Sequence, residues 1–311
     1  MMEKIVIAVG GNALQRPGDK GTAEEQMKRA QETAESISWI FEDYEVALTH
    51  GNGPQVGAIL LQNEQAKDIV PQMPLDVCGA ESQGMIGYML EQGFNNAIKS
   101  KKINRDIITM LTRVEVDEND PAFRNPSKPI GPFYTRFQAQ EIIREKGWRM
   151  VEDSGRGWRR VVPSPEPLKI IEKDAILELM EAGFIVIAVG GGGIPVIKKN
   201  GNIIGVEGVI DKDLGAATLG KDINAKELII LTAVDRVFLN YGKENQKPID
   251  RIDVKKLTEY YNQGHFKPGS MGPKILAALK FISYGGRRVL ITSPEAMKDA
   301  FEEKTGTWIY P

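Results

Sequence analysis

Three lysines sit where their flanking residues fix the backbone, and ammonium groups held in that way can clamp a phosphate. Lys212 lies in Val209-Ile210-Asp211-Lys212-Asp213, between two carboxylates at a strand-to-helix turn. Lys274 lies in Gly269-Ser270-Met271-Gly272-Pro273-Lys274, at a helix start, where a cation opposes the local dipole. That placement costs roughly 0.3–1 kcal/mol unless an anion sits there. Lys128 lies in Asn125-Pro126-Ser127-Lys128-Pro129, a stiff tip bracketed by prolines. The Asp211-Lys212-Asp213 trio fits either a surface ion-pair cluster worth little or an aspartate that orients lysines at a phosphate. Arg156, in Asp153-Ser154-Gly155-Arg156-Gly157-Trp158-Arg159-Arg160, fits either an anion-facing turn or an anchor for its own segment.

Oriented backbone amides would be the second ingredient. Short apolar runs lead into Gly10-Gly11-Asn12, into His50-Gly51-Asn52-Gly53-Pro54 and into Gly190-Gly191-Gly192-Gly193-Ile194-Pro195. With no Cβ in the way, the amides of such loops can approach a ligand closely. A helix is expected after each loop, adding free N–H groups and partial positive charge. Three such loops at strand ends point to a phosphate-handling cleft. Missing motifs narrow its type. The chain has no G-x-x-x-x-G-K-[ST], no G-x-G-x-x-G opening a helix after the first strand, and no H-R-D or D-F-G element. Walker-type, dinucleotide and protein-kinase readings are thereby set aside or weakened. A phosphate site of backbone amides and separate lysines remains.

The elements that must position these residues alternate along the chain. Strands are expected at Ile5–Val9, Val46–Thr49, Ile107–Leu111, Ile185–Val189, Leu228–Thr232 and Val289–Thr292, with further strands at Val206–Ile210 and Val237–Asn240. Helix-like stretches run over Ala23–Glu42, Pro54–Lys67, Glu81–Lys99, Leu168–Glu181, Lys212–Gly220, Val254–Gln263 and Pro273–Tyr284. Strand alternating with helix argues for a mostly parallel sheet covered on both faces. Residues 116–165 break the rhythm with six prolines, seven arginines, Trp148 and Trp158, and one helix-like piece at Arg136–Lys146. We read them as a lid or small subdomain inserted in a single domain spanning residues 1–311.

Bulk composition excludes other classes. A net charge of −2 steers the molecule toward neither nucleic acid nor an anionic membrane. Apolar strings such as Phe184–Val189 fall far short of the roughly 20 residues a bilayer span needs. The chain enters a strand directly after Met1-Met2-Glu3-Lys4, so no signal peptide is expected. A lone cysteine, Cys78, excludes an internal disulfide framework and fits a reducing, cytoplasmic setting. Only His50 and His265 are present, which argues against a multi-histidine metal site; we read them as strand-end and turn residues.

With these motifs in hand, the chain resembles the carbamate kinases, of the amino acid kinase superfamily. The resemblance is carried by Ile5–Leu14, His50–Gly57, Ser82–Tyr88, Asn125–Gly131, Asp153–Pro165, Val209–Asp213 and Gly264–Lys274, in that order along almost the whole chain. It implies an open three-layer α/β/α sandwich with a mostly parallel central sheet, a protruding subdomain and a homodimer. It also implies the reversible reaction ATP + carbamate ⇌ ADP + carbamoyl phosphate with Mg²⁺, and a place in arginine metabolism. By the same resemblance Lys212 and Lys274 hold the nucleotide phosphates and the transferred group, and Lys128 reaches in from the insertion. Asp213 orients the lysines, with Asp211 as second candidate. Gly10, Gly11 and Asn12 contact the phosphoryl group, and Gly51, Asn52 and Gly53 the carbamate side. The nucleotide lies near Ala233, Val234, Tyr241, Gly242, Met271 and Gly272, with no protein-borne metal ligand. Carbamate is already an anion, so its attacking oxygen needs no catalytic base. The alternatives are a superfamily member acting on another acceptor such as acetylglutamate, or a non-catalytic nucleotide-binding regulator.

Overall fold

The β-branched runs become buried strands, and the polar-apolar stretches between them become covering helices. The computed structural model describes residues 2–11, 14–16, 18–153 and 155–311. In chain order the strands are β1 (Glu3–Val9), β2 (Tyr44–His50), β3 (Ile107–Thr109), β4 (Arg113–Glu115), β5 (Lys128–Tyr134), β6 (Met150–Glu152), β7 (Trp158–Val162), β8 (Lys169–Ile170) and β9 (Ile185–Ile187). They continue as β10 (Ile194–Lys199), β11 (Asn202–Gly205), β12 (Glu227–Leu231), β13 (Val237–Leu239), β14 (Lys247–Ile249), β15 (Arg251–Asp253), β16 (Arg288–Thr292) and β17 (Thr307–Tyr310). The helices are α1 (Ala23–Ile37), α2 (Gly53–Ala66), α3 (Leu75–Lys101), α4 (Arg136–Lys146), α5 (Lys173–Glu181), α6 (Lys212–Asp222), α7 (Val254–Asn262), α8 (Met271–Ser283) and α9 (Met297–Phe301).

Eight strands form the central sheet in the order β15-β17-β16-β12-β1-β2-β9-β3. Every neighbouring pair is parallel except β16 with β17. Alternate residues of one strand feed opposite cores, as the two-residue period of a strand requires. Val6 and Ala8 of β1 pack with Ile176 of α5, Ala216 of α6, Leu257 of α7 and Ile275 of α8. Ile5 and Ile7 pack with Ala34 of α1, Ile86 and Phe94 of α3, and Met297 of α9. The sandwich therefore has three layers, and each fully buried Ile or Leu contributes about 1.5–3 kcal/mol.

Several boundaries differ from those expected, each for a local reason. α1 stops at Ile37 and the chain tightens into a 3₁₀ turn over Ser38–Glu42. α3 starts earlier, at Leu75, because Pro74 in an extended conformation (φ −70°) leads directly into it. The stretch Leu168–Glu181 splits into β8 and α5, with Ile170 N–H bonded to the Asp222 carboxylate. β3 ends at Thr109, and soon after it Thr112 N–H donates to the Gln83 side chain instead of a strand. Val206–Ile210 is not a strand. Asn200 (φ 51°) and Gly201 (φ 80°) make a two-residue hairpin turn, so the strand paired with β10 is β11 and its ladder ends at Gly205. Val237–Leu239 is a strand, but it pairs with β14 away from the central sheet.

Residues 116–165 carry their own three-stranded sheet, in the order β5-β7-β6, and α4. α4 is fixed at both ends, by a Thr135–Gln138 capping box and by Gly147 in the left-handed region. β5 rests on α2 at a glycine pair: a Cβ on Gly57 would lie 1.9 Å from Gly131 N. Only two bare backbones approach so closely. Among the described residues, no helix is long and apolar enough to cross a membrane.

Candidate functional site

At the carboxyl ends of β1 and β2, beside the end of β12, the chain leaves the sheet through glycines, the place where open α/β sheets bind ligands. Gly10 packs on the end of β12, where a Cβ would stand 2.8 Å from Leu231 O. A Cβ on Gly51 would stand 3.3 Å from Cδ of Lys212 and 3.9 Å from Gly11 N. Two loops and the first residue of α6 thus meet. Gly11 itself is exposed with open space around it. Asn12 lies outside the described residues.

The three lysines converge on two aspartates. Asp211 caps α6, its Oδ1 accepting from the amides of Asp213 (2.9 Å) and Leu214 (3.4 Å). Its other oxygen accepts from Lys128 Nζ at 2.6 Å, across 83 residues of sequence. Asp213, in the first turn and 2% exposed, takes Lys212 on one oxygen and Lys274 on the other, the latter at 3.1 Å. The anion that a helix-start lysine requires is therefore supplied here by Asp213. Burial alone would raise both carboxyls, but Lys128, Lys212 and Lys274 outweigh it at Asp211, and Lys212 and Lys274 do so at Asp213. Both stay below the ordinary carboxylate range. Burial pulls Lys212 down despite Asp213. At Lys274 burial acts the same way, but Asp213 and Asp211 override it and the pKa rises. Three ammonium groups against two carboxylates leave one uncompensated positive charge at the mouth of the glycine loops.

The four-glycine segment does something other than expose its backbone. Gly190 to Gly193 are all buried. A Cβ on each would collide in turn with His50 Nε2 (2.4 Å), Asn52 Nδ2 (2.2 Å), Ile210 O (2.4 Å) and Val114 Cγ2 (2.1 Å). The run is glycine because four residues press on it. A strand, β10, follows it rather than the expected helix. Val189 just before it holds a left-handed φ of 55°, a strained value for a β-branched residue, with its carbonyl taken by Thr49 Oγ1 at 2.7 Å.

Gln83, buried in α3, holds this segment: its Nε2 donates to Gly190 O (2.9 Å) and Thr112 O (3.1 Å), and its Oε1 accepts from Thr112 N–H (2.8 Å). Ser82 beside it accepts from Asn52 Nδ2 at 2.8 Å. Sequence reasoning assigned neither a role, since a buried amide in mid-helix leaves no periodic signature. Their one signal was a place in the Ser82–Tyr88 block.

His50 is the buried, hydrogen-bonded strand-end residue expected of it, with Nδ1 3.1 Å from Gly51 O. Burial pushes its pKa down to about 4, the Gly51 bond opposing and Lys212 adding a smaller push downward. The unfolded chain binds this proton near pH 6.5 and the folded chain does not until about pH 4, so stability falls as pH drops through that window. Between pH 7 and 4.5 the loss attributable to His50 is about 2 kcal/mol. Urea unfolding at both pH values should show the drop shrinking by that amount in His50→Gln.

Arg156 pairs with Asp153 through both carboxylate oxygens at 3.2 Å and lies over Phe133, so it anchors its segment. His265 packs edge-on against Tyr260 and bonds Gln263 in its turn. Gly53 borders Pro129 O at the entry of α2, a Cβ there lying 3.8 Å away. Thr232, at the end of β12, leads from the Gly10 contact into Ala233 and Val234. Tyr241 and Gly242 are exposed beyond β13, with Tyr241 against Phe238. Gly272 lies two residues before Lys274, buried against Lys267 O, and Met271 is half-buried.

Lys128 owes its reach to the Gly57–Gly131 crossing. Gly57→Ala must push β5 off α2, and a displacement of about 1 Å at a reacting group costs roughly 10²-fold in rate. The expected kcat loss is of that size, with a thermal midpoint lowered by only a few degrees.

Comparison with known proteins follows the same outline. A model of the amino acid kinase family matches residues 3–293. The chain is 50% identical over 312 residues to "Carbamate kinase" of Thermococcus kodakarensis, covering 99% of each chain. The solved carbamate kinase from Giardia lamblia bound to AMP-PNP superposes with TM-score 0.91 at 43% identity, covering 99% of this chain and 98% of that one. The same enzyme bound to citric acid superposes with TM-score 0.95 at 42% identity and the same coverage.

Proposed function

Since this chain belongs to the amino acid kinase family, we propose that it is a carbamate kinase, moving a phosphoryl group reversibly between ATP and carbamate. The observation that carries the reading is the convergence of Lys128, Lys212 and Lys274 on Asp211 and Asp213 beside the loops of Gly10–Gly11 and Gly51. Two anions must be brought together in line, so catalysis rests on positioning and charge neutralisation. Carbamate attacks through an oxygen that is already negative, and no side chain has to remove a proton. His50, buried and neutral at pH 7, is suited to packing and not to base work. Lys212 and Lys274 meet the negative charge shared between leaving and transferred groups, Lys128 meets it from the insertion, and the amides of Gly10 and Gly11 face the phosphoryl oxygens, with the Gly51–Gly53 loop on the carbamate side. Asp213 keeps two ammonium groups apart and aimed; Asp211 does the same for Lys128 while holding the start of α6.

Mg²⁺ enters with the nucleotide, coordinated mainly by its phosphates. Both site aspartates are already engaged by lysines, so among the described residues they form no carboxylate cage for a resident ion. The adenine side is assigned to the segment from Ala233 and Val234 to Tyr241 and Gly242, with Met271 and Gly272. Residues 116–165 act as a lid carrying Lys128, hinged on the Gly57–Gly131 crossing. A homodimer would bury the exposed Val77 and Tyr88 of α3 with Ile203 and Ile204 of β11. In a coupled assay, purified protein should form ATP from carbamoyl phosphate and MgADP. Absence of turnover above background, or faster phosphorylation of acetylglutamate than of carbamate, overturns the assignment.

A further inference from the structure

Asn52 occupies a place whose usual work it does not do. It is the N-cap of α2, where an asparagine ordinarily accepts from the first-turn amides, yet its side chain makes no capping bond. The carboxamide is turned to α3 instead, with Nδ2 donating to Ser82 Oγ at 2.8 Å. Bare backbone packs against the same group, since a Cβ on Gly191 would stand 2.2 Å from Nδ2. Ser82 is fully buried, and its own proton is committed to Gly79 O at 2.6 Å. The Ser82 oxygen is therefore an acceptor toward Asn52, which decides which end of the carboxamide faces it. The other end, Oδ1, has no donor among the described residues and keeps access to solvent, Asn52 being 5% exposed.

The residues on either side of Asn52 border the lysines. A Cβ on Gly51 would lie 3.3 Å from Lys212 Cδ, and one on Gly53 would lie 3.8 Å from the carbonyl of Pro129, next to Lys128. Among small carboxylates, carbamate is set apart by the amino group on its carboxyl carbon, which offers N–H donors beside the anionic oxygens. A carbonyl oxygen without a protein donor is the complement of such a group. Resting on the carbamate kinase reading, we propose that Asn52 Oδ1 accepts from the amino group of the acceptor, and that Ser82 is the positioning residue that keeps this oxygen free for it. The pair then selects carbamate over acceptors of the same shape without an N–H, because these leave the oxygen unpaired.

Comparing two phosphoryl donors to MgADP tests it. Acetyl phosphate carries a methyl group where carbamoyl phosphate has its amino group, and it releases acetate when its phosphoryl group passes to ADP. In the parent, kcat/KM for carbamoyl phosphate should exceed that for acetyl phosphate by about tenfold or more. Ser82→Ala should lower kcat/KM for carbamoyl phosphate by about tenfold and leave that for acetyl phosphate within about twofold. Its thermal midpoint should fall by only a few degrees. Asn52→Ala should erase the preference likewise, and adding Ser82→Ala to it should change the ratio no further, since the serine acts through the asparagine. A common loss on both donors in Ser82→Ala makes the serine merely structural and overturns the proposal. An unchanged preference, or a further loss in the double variant, overturns it equally. No ATP from either donor with the parent overturns the kinase reading, and the proposal falls with it.

Discussion

Lys212→Met should lower kcat for ATP formation by about 10²–10³-fold, the loss measured when one preorganised donor to a developing anion is removed. The methionine keeps most of the aliphatic stem that lies against Gly51, so the loops stay apart as before and only the charge is lost. KM for carbamoyl phosphate should change far less than kcat, because the interaction strengthens as charge gathers between the two oxygens. Lys274→Met is expected to behave similarly, since both ammonium groups share Asp213. The double variant should then lose less than the product of the single losses, as residues acting as one unit do. A kcat within tenfold of the parent for Lys212→Met would remove this lysine from the chemistry.

Asp213→Asn should destabilise the fold by about 3 kcal/mol and lower activity together. The carboxamide fills the same volume but leaves two buried ammonium groups facing each other without a compensating charge, the situation in which breaking a buried pair costs about 3–5 kcal/mol. Urea unfolding at pH 7 measures the first effect; a loss below about 1 kcal/mol would mean that Lys212 and Lys274 find other partners. The same residues set an acid limit. Asp211 and Asp213 have folded pKa values below their unfolded ones, so their contribution is present above the unfolded carboxylate value and is lost as pH falls through the folded values. The parent should therefore show an unfolding limb below about pH 4 that is shallower in Asp213→Asn.

Much of this could be read from the chain before any coordinates, and the part that could not has a common cause. β-branched runs such as Ile5–Val9 and Leu228–Leu231 are legible because a strand buried on both faces must be apolar throughout. Lys212 and Lys274 are legible because their flanks fix the backbone, Lys212 between two carboxylates and Lys274 at a helix start that disfavours a cation. What stayed hidden depends on partners distant in sequence. Nothing near Gly190–Gly193 tells that His50, Asn52, Ile210 and Val114 press on it, so its glycines read as ligand-facing when they are packing positions. Nothing near Gly57 announces Gly131. Val206–Ile210 has the composition of a strand, yet the Asn200-Gly201 turn sets the register and uses up the partner edge at Gly205.

The two oxygens of Asp211 tie α6 and the tip of β5 to a single atom group, with Lys128 drawn inward by the chain's own carboxylate. An incoming anion must therefore outcompete a built-in carboxylate at a distance of 2.6 Å. Chloride and bicarbonate, small and singly charged, are poor rivals in that exchange, whereas a multiply charged phosphate chain is a strong one. Asp211 is in this sense a counter-ion built into the chain, which Lys128 exchanges for the phosphate.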